Sequence, residues 1–71
     1  MDSERSEEGR RRALAHPTRR EILGRLAGSG LSDQDLGAAL GGESLALLAY
    51  HLGVLERADL VRRAGDIVRA A

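Results

Sequence analysis

Between Ser44 and Ala58 the chain carries apolar residues on two helical lines at once. Leu45, Leu48, Leu52 and Leu55 recur at spacings of three, four and three, and Leu47, His51, Val54 and Ala58 at four, three and four. Both patterns fit a helix, and together they demand one that is covered on two sides or that displays one of its stripes. A chain of 71 residues has little material for covering both sides.

The flanking sequence supplies short elements with clear ends. Pro17 suits a first helical position, where its missing N–H is no loss, and Ile22, Leu23, Leu26 and Ala27 then make one apolar stripe. Gly28-Ser29-Gly30 ends that helix. Ser32 can cap a second helix at the amide of Asp35, with Leu36, Ala39 and Leu40 on its inner face and Gly41-Gly42 as its stop. Ser44 starts the long helix. After it, Leu60-Val61-Arg62-Arg63 and Ile67-Val68-Arg69-Ala70 flank a Gly-containing loop and read as a hairpin. Residues 1–12 have no apolar residue after Met1 and read as a charged helix or arm, with Leu14 and Ala15 the first able to dock. The expected division is thus an N-terminal arm or helix, 1–12, and a domain, 13–71. Its central buried set should be Ile22, Leu23, Leu26, Leu36, Leu40, Leu48, Leu52, Leu55 and Val61.

Composition narrows the function. There is no cysteine, which excludes a disulfide scaffold, a thiolate zinc site and a Cys nucleophile. Twelve leucines with a single aromatic residue point to a mainly helical protein. The longest apolar run, Leu45 to Tyr50, is far too short for a membrane span, and the acidic N-terminus lacks the order of a secretory signal. A soluble, cytoplasmic protein without membrane contact is the expectation.

The net charge is zero but unevenly spread. Residues 31–59 hold Asp33, Asp35, Glu43, Glu56 and Asp59 against Arg57, a net of −4. Residues 13–30 and 60–71 each stand at +2, the latter through Arg62, Arg63 and Arg69 against Asp66. A short helix, a Gly turn and a longer helix make the helix-turn-helix arrangement, and a hairpin directly after them makes its winged variant.

Three stretches carry a more specific resemblance. They are Ala13-Leu14-Ala15-His16-Pro17-Thr18-Arg19-Arg20-Glu21-Ile22-Leu23, then Leu31-Ser32 with Asp35-Leu36, then Tyr50-His51-Leu52-Gly53-Val54-Leu55-Glu56-Arg57-Ala58-Asp59-Leu60-Val61. Over residues 10–69 the chain resembles the winged helix-turn-helix domain of ArsR-type (arsenic-repressor-like) bacterial transcriptional regulators. The resemblance implies three to four helices plus a two-stranded wing, a homodimer, and binding to double-stranded DNA. It makes 44–58 the recognition helix and 60–70 the wing. It departs from the family where polar residues usually line the recognition helix, since Leu45, Ala46, Leu47 and Ala49 stand there, and Asp59 replaces a glycine.

Base edges are read by hydrogen-bonding side chains. The candidates for DNA contact are Ser44, Tyr50, His51 and Arg57 on the long helix and Arg62, Arg63 and Arg69 on the wing. The wing arginines either touch phosphate or simply solvate and protect a hairpin edge. Leu45, Leu47, Ala49 and Tyr50 form a candidate protein interface, for a second copy or a partner protein, or else lie under the N-terminal segment. An interaction module that binds protein instead of DNA is the alternative function. Arg19 and Arg20 read as helix-surface residues. His16 and His51 make a poor metal site without thiolates, so no metal and no cofactor is expected, and His51 should be buried and hydrogen-bonded between helix and wing. No nucleophile–base–acid set is discernible, and the chain is not expected to be an enzyme.

Overall fold

The computed structural model describes residues 2–71, with side-chain surroundings described from Glu7 onward. Four helices and three short strands follow in the order α1 (Asp2–Leu14), α2 (Pro17–Arg25), β1 (Leu31–Ser32), α3 (Asp33–Ala39), α4 (Leu45–Arg57), β2 (Val61–Ala64) and β3 (Ile67–Ala70). The α3–turn–α4 pair is the helix-turn-helix and β2–β3 the wing. The fold is mainly α, as the sequence implies.

The helix starts obey the local rules. At α2, the backbone N–H of Thr18 donates to His16 Nδ1, with Pro17 in the first turn. Ser32 and Ser44 accept from the amides of Asp35 and Leu47, each at 3.1 Å, to open α3 and α4. The stops are alike at α3 and α4. Gly41 and Asp59 adopt left-handed backbone, with φ 82° and 59°, and each chain doubles back in a Schellman-type pair of bonds. Gly42 N–H reaches Gly37 O and Gly41 N–H reaches Ala38 O; Leu60 N–H reaches Leu55 O and Asp59 N–H reaches Glu56 O. Asp59 thus takes the backbone conformation that the resemblance assigns to a glycine.

The wing is the expected two-stranded hairpin, and β1 adds a third strand to its sheet. The strand order is β1-β3-β2, all antiparallel, with Leu31 opposite Val68 and Ser32 opposite Ile67. A two-residue strand shows no alternation by which a sequence could announce it. Gly30 is the physical clue. A Cβ there would collide with Ile67 Cγ2 and come within 2.9 Å of Arg69 Cγ, so only glycine lets β3 lie against this edge.

The core comprises Ala13, Ile22, Leu26, Leu36, Leu48, Leu52, Leu55, Val61 and Val68. Leu23 and Leu40, expected among the buried residues, pack on its margin instead. Ala13 takes the docking place expected of Leu14 and Ala15, which are half-buried and exposed. The last turn of α1 is fixed by two arginines of α2. Arg19 Nε donates to Ala13 O at 2.7 Å and Arg20 Nη1 to Leu14 O at 2.8 Å, meeting carbonyls that have no partner within the helix.

Candidate nucleic-acid interface

Alternation along the wing divides its three arginines. In the β2–β3 register Arg62 stands opposite Arg69, and Arg63 opposite Val68. Successive strand residues point to opposite faces, so Arg63 shares a face with the buried Val61 and Val68. Its guanidinium reaches Asp33 Oδ1 of α3 at 3.1 Å and Glu56 Oε1 of α4 at 3.4 Å. Those two carboxylates hold the Arg63 pKa above its ordinary value, chiefly through the hydrogen bond that Arg63 donates to Asp33. Arg63 therefore ties the wing to both helices of the helix-turn-helix. It also masks two of the five acids in the segment 31–59.

Arg62 and Arg69 share the outer face, each exposed, and neither has an ion-pair partner among the described residues. Like charges directly opposite across strands oppose pairing unless something compensates them. The stem of Arg69 crosses Gly30, so Arg69 sits on the central strand of the three-stranded face and Arg62 on the edge strand beside it. This is where cationic groups converge toward solvent on the wing.

The helix α4 offers a different surface. Leu45, Leu47 and Tyr50 are 59%, 50% and 60% exposed, and Ala46 and Ala49 are exposed beside them. At roughly 100° per residue, Leu45 and Leu47 stand about 200° apart around the helix. They are not brought into one patch. Leu45 is aligned with Leu52 but lies in the first turn, where its neighbour is the buried Gly37 of α3. Leu47 is aligned with Val54, with Tyr50 beside it.

Of the remaining polar candidates, Ser44 spends its hydroxyl on the cap of α4. Arg57 lies at the opposite end of that helix, exposed, with its guanidinium turned back along Gly53. His51 is only 5% exposed, so it presents no surface to a base edge. Its burial was expected; its surroundings were not. The ring packs on His16 with centroids 4.6 Å apart and edge-on to Tyr50, and the buried Nδ1 finds no hydrogen-bond partner among the described residues. Burial lowers the His51 pKa, with His16 and Arg19 adding to the effect and Glu43 opposing it. Sequence periodicity placed His51 on a stripe with Leu47, whereas the packed face of α4 cuts across both stripes. Among the described residues no cluster of three or more His, Asp or Glu is placed to hold a metal ion, and no helix is long and apolar enough to cross a membrane.

The sequence profile of a helix-turn-helix domain family matches residues 14–64. Among solved structures, a crystal structure of an ArsR family transcriptional regulator is similar to the chain, with a TM-score of 0.81 at 27% sequence identity. The similarity covers 94% of this chain and 72% of that one. None of the curated proteins matches it in sequence.

Proposed function

The chain belongs to the helix-turn-helix domain family, in an ArsR-like winged form, and from that premise we propose that it binds double-stranded DNA as a transcriptional regulator. The observation that carries this reading is the Arg62–Arg69 pair on the outer face of the wing. Two uncompensated guanidiniums facing each other are costly to a hairpin, and phosphate oxygens compensate them. In this reading Arg62 and Arg69 supply phosphate contacts, with Arg10 and Arg11 of α1 adding to the field. Ser44, Tyr50 and Arg57 are minor contacts at most, Arg63 positions the wing, and His51 belongs to the core. Residues 13–71 act as the DNA-binding domain and 1–12 as its charged extension. No catalytic role is assigned, and the protein acts in the cytoplasm with its DNA.

The apolar surface of α4 limits what the helix reads. Leu45, Leu47, Ala46 and Ala49 have only methyl contacts to offer, mainly to thymine. Affinity should therefore depend on backbone charge more than on base sequence. Leu47 and Tyr50, and separately Leu45, are assigned to contact with a second copy, which makes the working unit a homodimer.

An electrophoretic shift with random-sequence duplex DNA, at low and moderate salt, tests the proposal. Binding should weaken with salt. The double variant Arg62→Ala, Arg69→Ala should flatten the dependence of log K on log salt by about two phosphate contacts. The double variant Leu45→Ser, Leu47→Ser should lose association between copies by light scattering. No binding at micromolar protein, or an unchanged salt slope in the arginine variant, rejects the DNA reading. Loss of DNA binding with assembly intact in the leucine variant would return base reading to α4.

A further inference from the structure

A second concentration of positive charge lies away from the wing, in a cleft of about 280 Å³ between the end of α1 and the C-terminal half of α4. Its apolar lining is Ala13, Val54 and Ala58, and its polar lining is Arg12, Arg19, Arg57 and the ring of Tyr50. No carboxylate lines it among the described residues. Three arginines thus line an apolar pocket.

The three are not equally free. Arg19 is anchored, its Nε on Ala13 O and its Nη2 on Arg12 O at 3.3 Å, so its position is set before any ligand arrives. Arg12 pairs with Glu8 at 2.9 Å, but both side chains are largely in solvent, where such a pair contributes little and yields readily. Arg57 has no ion-pair partner among the described residues. A fixed cation, an exchangeable one and a free one beside an apolar pocket suit a carboxylate with a hydrocarbon body. Guanidinium forks match the two carboxylate oxygens, and Tyr50 with Val54 covers the body. The volume of about 280 Å³ falls just below the range of roughly 300–1,000 Å³ common to ligand sites, which selects a single ring or a short chain.

We propose that this cleft, bordered by Arg12, Arg19 and Arg57 over Ala13, Val54 and Ala58, binds a small organic carboxylate with an apolar body. Such a ligand would bridge α1 to α4. The proposal does not depend on the DNA reading, since binding here is measured without nucleic acid.

The probe is benzoate, titrated into the ¹⁵N-labelled full chain at constant ionic strength, with inorganic phosphate as a parallel titrant. Benzoate should shift the amides of Ala13, Val54 and Ala58 saturably, and phosphate should not. Arg57→Gln should weaken benzoate by about fivefold, the scale of one solvent-exposed charge contact, and Arg62→Gln should leave it unchanged. Tyr50→Ala, which removes no charge, should also weaken it. Absence of saturation below about 10 mM, an affinity beyond which a site has no meaning here, overturns the proposal. So does equal affinity in Arg57→Gln, or phosphate binding at the same amides as tightly as benzoate.

Discussion

The two sides of α4 are built from the same residue types and meet opposite fates. Leu48, Leu52 and Leu55 are at most 1% exposed, while Leu45 and Leu47 of the same helix are half or more in solvent. Hydrophobicity does not separate them. The neighbours do: α1, α2, α3 and β2 all pack on α4, while Leu47 faces away from them and Leu45, although aligned with Leu52, lies in the first turn at the margin of that packing. The wing repeats the contrast with charge in place of apolar area. Arg63 is drawn inward onto Asp33 and Glu56, and Arg62 and Arg69 are left outside. In both elements the inner member contributes stability and the outer member remains available for a partner.

The sharpest break of that comparison is a matched pair of truncations. Leu52→Ala should cost about 2–5 kcal/mol, because the packed surroundings cannot close the cavity. Leu47→Ala should cost less than about 0.5 kcal/mol in the isolated chain, as for other exposed sites. Urea unfolding of both variants at low concentration gives the difference. Similar losses would mean that the outer leucine is already covered.

His51 sharpens the same contrast through pH. Its neutral form is favoured in the folded protein, since burial holds its pKa below the ordinary 6.5. Above that value both folded and unfolded chains keep it neutral, and its contribution is fully present. As pH falls below 6.5 the unfolded chain takes up a proton that the folded chain refuses, so stability drops until the folded pKa is passed. Unfolding midpoints at pH 7.5 and 5.5 should differ in that direction. His51→Leu should remove most of the drop, and an undiminished drop in that variant would assign it to other groups.

A smaller effect separates the arginines of the wing. Arg63→Ala should destabilise by up to about 1 kcal/mol, as expected for a partly exposed ion-pair network. Arg62→Ala should be neutral or mildly stabilising, by up to about 0.5 kcal/mol, because it relieves the cross-strand repulsion with Arg69. Equal losses would show that the two faces of the hairpin are not different after all.

Much of this was legible in the sequence, and the limits have physical causes. The caps at Ser32 and Ser44, Pro17 and the Gly41-Gly42 stop act through local hydrogen bonds and backbone angles, which a few residues determine. The distinction between Arg62 and Arg63 was also available, since strand neighbours point to opposite faces and Val61 marks the inner one. What needed the tertiary structure was anything set by a distant neighbour. Pairing of Leu31-Ser32 with β3 depends on how α2 returns the chain. The carbonyl contacts of Arg19 and Arg20 depend on the angle between α1 and α2. The cross-cutting face of α4 depends on His16 sitting over His51. Periodicity gave two stripes and no means of choosing between them.

The least expected gain lies where α4 stops. Asp59 holds φ at 59° to complete the Schellman-type turn, directing Leu60 back toward the helix and launching β2. In that conformation a Cβ crowds the following carbonyl, a strain that aspartate tolerates better than most residues and glycine does not incur. At Gly41, the matching position after α3, the strain is absent. Asp59→Gly should therefore stabilise the fold by about 0.5–1 kcal/mol, less whatever the added freedom of the unfolded chain takes back. The side chain is exposed and makes no ion pair among the described residues, so nothing else is lost with it. The measurement is the urea midpoint at constant slope, with Asp59→Ala as the control that should destabilise. A stability loss in the glycine variant would mean that the aspartate carboxylate contributes to the turn through a contact other than backbone geometry.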